Sequence, residues 1–133
     1  MQKYTRSQTA RLLRKMTSEV RKTAKTTDKD NIHDLRVSIR RLRACLRLFS
    51  GFYPGPARKK LQHEMKSLMH AAGEVRDRDI AMELLADAGI PAGSPAVRRL
   101  GEQRTRAAGA LQDALKDWKG RGVSRQWRTR LEV

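Results

Sequence analysis

The chain has 133 residues, the size of one domain, and sets 30 Lys and Arg against 14 Asp and Glu for a formal charge of +16. The excess is concentrated: residues 1–60 hold 17 basic and 4 acidic side chains (+13), residues 61–133 hold 13 and 10 (+3), and such self-repulsion points to a polyanionic partner. A single cysteine excludes an internal disulfide, no apolar run approaches the ~18 residues of a membrane span, and the first residues lack a signal peptide's apolar stretch, so a soluble, cytoplasmic protein is expected.

Helical periodicity dominates, with no stretch of period two long enough for a sheet. A first helix is expected over 3–25, with Leu13, Met16, Val20 and Ala24 on its inner face. Asp28, Asp30 and Asn31 offer caps for a second over 32–52, where Ile32, Leu35, Ile39, Leu42, Leu46, Phe49 and Tyr53 recur at spacings of 3 and 4. Cys45 reads as a buried thiol in that pattern. Pro54-Gly55-Pro56 ends the helix and turns the chain. A third helix follows, with Leu61, Met65, Leu68, Ala72 and Val75 inward, and Asp77 is expected to cap a short elbow helix that Gly89 closes. Ser94-Pro95 starts the last main helix, whose face of Leu100, Ala107, Leu111, Ala114 and Trp118 is interrupted by Arg104. Gly120-Arg121-Gly122 reads as a hinge before a short amphipathic tail with Trp127 and Leu131. The expected fold is all-α: a four-helix bundle over 1–119 with a short extra helix at 77–88, and a hinge and tail over 120–133.

Beside the apolar stripe of the second helix runs a basic one, His33, Arg36, Arg40, Arg43 and Arg47, spaced 3, 4, 3, 4, with Arg41 widening it. Asp34 is the only acid from Ile32 to Phe52, so the pairing that usually supports an exposed charged face is missing. The third helix carries Lys59, His63, Lys66 and His70, and the first Arg11, Arg14, Arg21 and Lys25. Three basic rails facing a common groove suit a regular polyanion, since the guanidinium fork donates two hydrogen bonds to one phosphate. His63 and His70 lie two turns apart, roughly 10.5 Å along a helix, not at the i, i+4 spacing of helical zinc proteases. With no phosphate loop, no acid pair in an apolar setting and no Ser/His/Asp set, neither metal, cofactor nor catalysis is expected. In 74–80, Asp77 and Asp79 read as helix-capping acids that also hold arginine forks, with Arg76 toward the groove.

Two segments, His33-Asp-Leu-Arg-Val-Ser-Ile-Arg-Arg-Leu-Arg43 and Gly73-Glu-Val-Arg-Asp-Arg-Asp-Ile80, resemble the H-x-x-R-x-x-x-R-R-x-R and G-x-x-R-D-x-D-[VI] patterns of the conserved-histidine α-helical domain, the CHAD family. The resemblance covers about residues 5–118. It implies an all-helical, non-enzymatic protein that binds inorganic polyphosphate, near polyphosphate granules or a triphosphate-processing enzyme, with His33, Arg36, Arg40, Arg41, Arg43, Lys66 and Arg76 as ligand contacts. The usual family domain is about twice as long, two bundles facing each other, so this chain corresponds to one half and a homodimer could supply the other, through an apolar contact at Trp118, Trp127 or Leu131 or through polyphosphate bridging two basic faces. DNA or RNA binding is the alternative reading, although most of the few aromatics sit on apolar stripes, not among the rails where stacking on bases needs them.

Overall fold

The computed structural model describes residues 2–131. Four long helices form the bundle: α1 (Gln2–Lys25), α2 (Lys29–Leu48), α3 (Gly55–Asp87) and α4 (Pro95–Gly120), followed by the short α5 (Val123–Arg130). A 3₁₀ turn, Ser50–Phe52, carries the chain from α2 toward α3. Around the bundle each helix packs on the next and α4 packs back on α1. Cross-contacts fix an antiparallel arrangement throughout: Thr23 Oγ1 donates to the Asn31 carbonyl, Arg43 meets Gln62, Arg104 meets Asp79, and Gln112 Nε2 donates to the Ala24 carbonyl.

Local chemistry sets the ends. Asp28 stands extended before α2 and its Oδ1 accepts the Asn31 amide at 2.8 Å, satisfying one of the first-turn donors that a helix leaves open. Ser94 Oγ does the same for Val97, at 3.4 Å. Past α3, Gly89 adopts φ +81°, and the Gly89 and Ile90 amides donate to Ala86 and Leu85, the paired bonds of a Schellman stop.

The apolar stripes of all four helices meet in one core. Leu13, Met16, Ile32, Leu35, Ile39, Leu42, Leu46, Leu61, Met65, Leu111 and Leu115 are fully buried. Trp127 and Leu131, each 1% exposed, join the same core, and Trp127 Nε1 donates to Glu64 at 2.8 Å. The segment after Gly122 therefore packs on the bundle as far as Leu131.

The elbow helix expected at 77–88 does not exist as a separate element. α3 runs unbroken for 33 residues, about 50 Å at 1.5 Å per residue, and Asp77 and Asp79 lie inside it. Asp79 is 1% exposed and receives Arg104 Nε at 2.7 Å, while Arg104 Nη2 donates to the Thr27 carbonyl at 2.6 Å. The interruption of the α4 face by Arg104 is thus a buried ion pair joining α3, α4 and the α1–α2 turn. The short extra helix of the fold is α5.

Candidate polyanion-binding face

α2 places Arg36, Arg40, Arg43 and Arg47 along its flank toward α3. Arg43 Nε donates to Gln62 Oε1 at 3.4 Å and Gln62 Nε2 donates back to the Arg43 carbonyl at 3.3 Å. At the other end Lys29 Nζ reaches Glu83 at 3.0 Å. Between these two contacts the antiparallel register sets Arg40 level with Lys66, Arg36 level with Gly73, and His33 level with Arg76. On α3, Arg58, Gln62, Lys66 and Arg76 follow helical spacings along the side toward α2, with Lys59 beside them.

The electrostatics of this face are one-sided. None of Arg36, Arg40, Arg43, Arg47, Arg58, Lys59, Lys66 and Arg76 is ion-paired among the described residues, and several of the carboxylates pair with other cations. Glu19 holds Lys15 and Lys22, Glu74 holds Arg78 and His70, Asp79 holds Arg104, and Glu64 and Asp117 hold Arg121. Arg36 and Arg58 are half-buried, and the Nε of each is shielded from solvent with no hydrogen-bond partner among the described residues. An unpaired shielded donor is costly, more so on a cation, and a phosphate oxygen is the acceptor that would satisfy it.

Not all the expected contacts converge here. His33 and Arg41 line a separate groove of about 340 Å³ between α1 and α2, with Lys15, Asp34, Val37 and Ser38. His63 and His70 lie toward α4: His63 lines a cleft with Ala114 and Trp118, and His70 faces Glu74 at 3.6 Å. Arg21 opens toward α4 and α5, and Arg14, seven residues earlier on α1, shares its side. The basic rail of α1 therefore does not join those of α2 and α3, since α1 and α3 occupy opposite corners of the bundle. Conversely, Arg58 belongs to the face and was missed in the sequence; its place one turn before Gln62 was the available signal. Of the two acids expected to hold arginine forks, Asp79 holds that of Arg104, whereas no ion pair engages Asp77 among the described residues and the fork of Arg78 is held by Glu74.

The profile of the CHAD domain matches residues 7–132, nearly the whole chain. The protein belongs to the CHAD domain family. Neither the curated proteins nor the solved structures compared with it yield a match. CHAD domains bind polyphosphate-related ligands in general, and the two segments that carry the resemblance, 33–43 and 73–80, lie on the neighbouring helices α2 and α3 of this CHAD bundle. No helix among the described residues is long and apolar enough to cross a membrane.

Proposed function

We propose that this CHAD domain binds inorganic polyphosphate without transforming it, holding successive phosphates along the α2–α3 face. The observation that supports this is the absence of any carboxylate partner for the α2 arginines Arg36, Arg40, Arg43 and Arg47 among the described residues, while ion pairs engage Lys15, Lys22, Arg78, Arg104 and Arg121 elsewhere. From Arg36 to Arg47 the rail covers roughly 16 Å of helix, a length matched to a linear polyanion. The same reading places the protein in the cytoplasm at polyphosphate granules or beside a triphosphate-processing enzyme. It also gives two copies a way to pair, by a polymer lying between two basic faces. Trp118, Trp127 and Leu131, expected as an apolar dimer contact, are buried in the chain's own core and do not serve.

The test is binding of a labelled long-chain polyphosphate to the wild type and to a variant with Arg36→Ala, Arg40→Ala and Arg43→Ala. Each guanidinium removed should weaken binding by roughly tenfold, with unchanged helical circular dichroism, and wild-type affinity should fall steeply with salt. A triple variant that binds as tightly as the wild type would overturn the assignment. Duplex DNA or single-stranded RNA competing as well as polyphosphate at equal phosphate concentration would favour the nucleic-acid reading instead.

A further inference from the structure

A second basic site lies on the opposite side of the bundle, where α5 closes over the seam between α1 and α4. A cleft of about 580 Å³ opens there, walled by Arg21 and Val20 of α1, by Trp118 and the turn at 119–122, and by Arg125 and Arg128 of α5. That volume lies within the range of small-molecule sites, roughly 300–1,000 Å³. Among the described residues five that line it are cationic and none is acidic. Arg121 pairs with Asp117 at 2.9 Å and with Glu64 at 3.8 Å, whereas no ion pair engages Arg21, Lys119, Arg125 or Arg128 among the described residues. Elements far apart in sequence are thus brought together to surround one cavity with uncompensated positive charge.

Two further features make the cleft more than a charged surface. Gly122, with φ +63°, is the residue before α5 and makes no side-chain cap to it, so among the described residues no side-chain acceptor caps the leading amides of that helix beside the cations. Val20 and Trp118, 1% and 2% exposed, supply a rigid apolar wall, and the indole Nε1 of Trp118 has no hydrogen-bond partner among the described residues. Lys119 and Arg121 can also serve the carbonyl end of α4, but that accounts for neither Arg21 on α1 nor Arg125 and Arg128 on α5.

We infer that this cleft binds a compact polyphosphoryl anion, such as a short oligophosphate or the end of a longer one, at a site separate from the α2–α3 face. Arg125 and Arg128 would close on it from α5 and Arg21 from α1, with the polymer face unaffected because α2 and α3 contribute nothing to the cleft. A site of this size discriminates by compactness: a short, highly charged anion fits within it, whereas a rail takes length.

The experiment is a titration of ¹⁵N-labelled protein with inorganic tripolyphosphate, read residue by residue in amide spectra, with sulfate at matched ionic strength as control. Saturable shifts are expected at the Gly120 and Gly122 amides. In a variant with Arg125→Ala and Arg128→Ala they should weaken by roughly tenfold per arginine, while any shifts at Gly73 and its α2 neighbours stay as in the wild type. No shift at Gly120 and Gly122, shifts that survive the double variant, or equal affinity for sulfate would each overturn the inference. Failure of the α2–α3 assignment would show separately, as long-chain polyphosphate binding that survives the triple Arg36→Ala, Arg40→Ala, Arg43→Ala variant.

Discussion

At the scale of single residues, the side chain with a clearly displaced titration among the described residues is Tyr53. It is 7% exposed, its hydroxyl is hydrogen-bonded to Thr9 and lies 3.4 Å from the Thr5 carbonyl, and Thr9 also contacts Cys45 Sγ at 3.5 Å. Burial pushes the phenol above its ordinary value of 10, with Cys45 adding to the rise and Thr9 and Arg6 opposing it. Above that ordinary value the unfolded chain releases the proton while the folded chain keeps it, so the contribution to stability is complete below about pH 10 and falls as pH rises through the folded value. Urea unfolding on either side of that point should show a loss in the wild type that Tyr53→Phe lacks. Identical alkaline losses in the two proteins would show that the phenol does not titrate with folding.

At the scale of elements, the contact between Asp79 and Arg104 ties three parts of the chain together. Asp79 has a side chain 2% exposed and its partner 22%. Removing the partner strands a buried carboxylate, so Arg104→Ala should cost about 3–5 kcal/mol, whereas replacing both with apolar residues, as in Asp79→Leu with Arg104→Met, should cost much less. Denaturant unfolding of the three proteins measures this; a loss below about 1 kcal/mol in Arg104→Ala would mean that Asp79 finds another partner. The pair also shows why Asp79 does not act as a cap. An aspartate in a helix reads as a cap because its carboxylate competes for nearby backbone donors, but at Asp79 a cross-helix guanidinium takes that carboxylate, and the helix continues to the Gly89 stop.

For the molecule as a whole, the charge distribution argues against self-association without a ligand and for it with one. A formal +16 on each copy opposes pairing through the basic faces, and a polymer between them reverses the sign of that interaction. Light scattering should therefore give a monomeric mass for the protein alone and a doubled mass with long polyphosphate at a protein excess. A monomeric mass in both conditions, with tight binding retained, would leave one bundle sufficient. The same geometry separates two sides of the bundle: the rails of α2 and α3 on one, and the cleft of Arg21, Arg125 and Arg128 on the other.

The sequence by itself determined the all-helical class, the inward stripes of α1 to α3, the Ser94 cap, the Gly89 stop and the membership that residues 33–43 and 73–80 announce, because helix period and capping chemistry act within a turn or two of the chain. It left the α2 cap among Asp28, Asp30 and Asn31, and on α4 it named Leu111 and Trp118 but not Ala108 and Leu115 of the buried stripe. It also showed which residues share a helix face. Only the tertiary structure decided which faces meet. Whether Arg36 and Arg58 share a side, whether Arg21 belongs with them, whether Asp79 caps a helix or holds Arg104, and whether Trp127 is a free tail or core all depend on how four antiparallel helices are ordered around a common axis. That order is set by interlocking contacts between residues distant in sequence, and no local spacing records it.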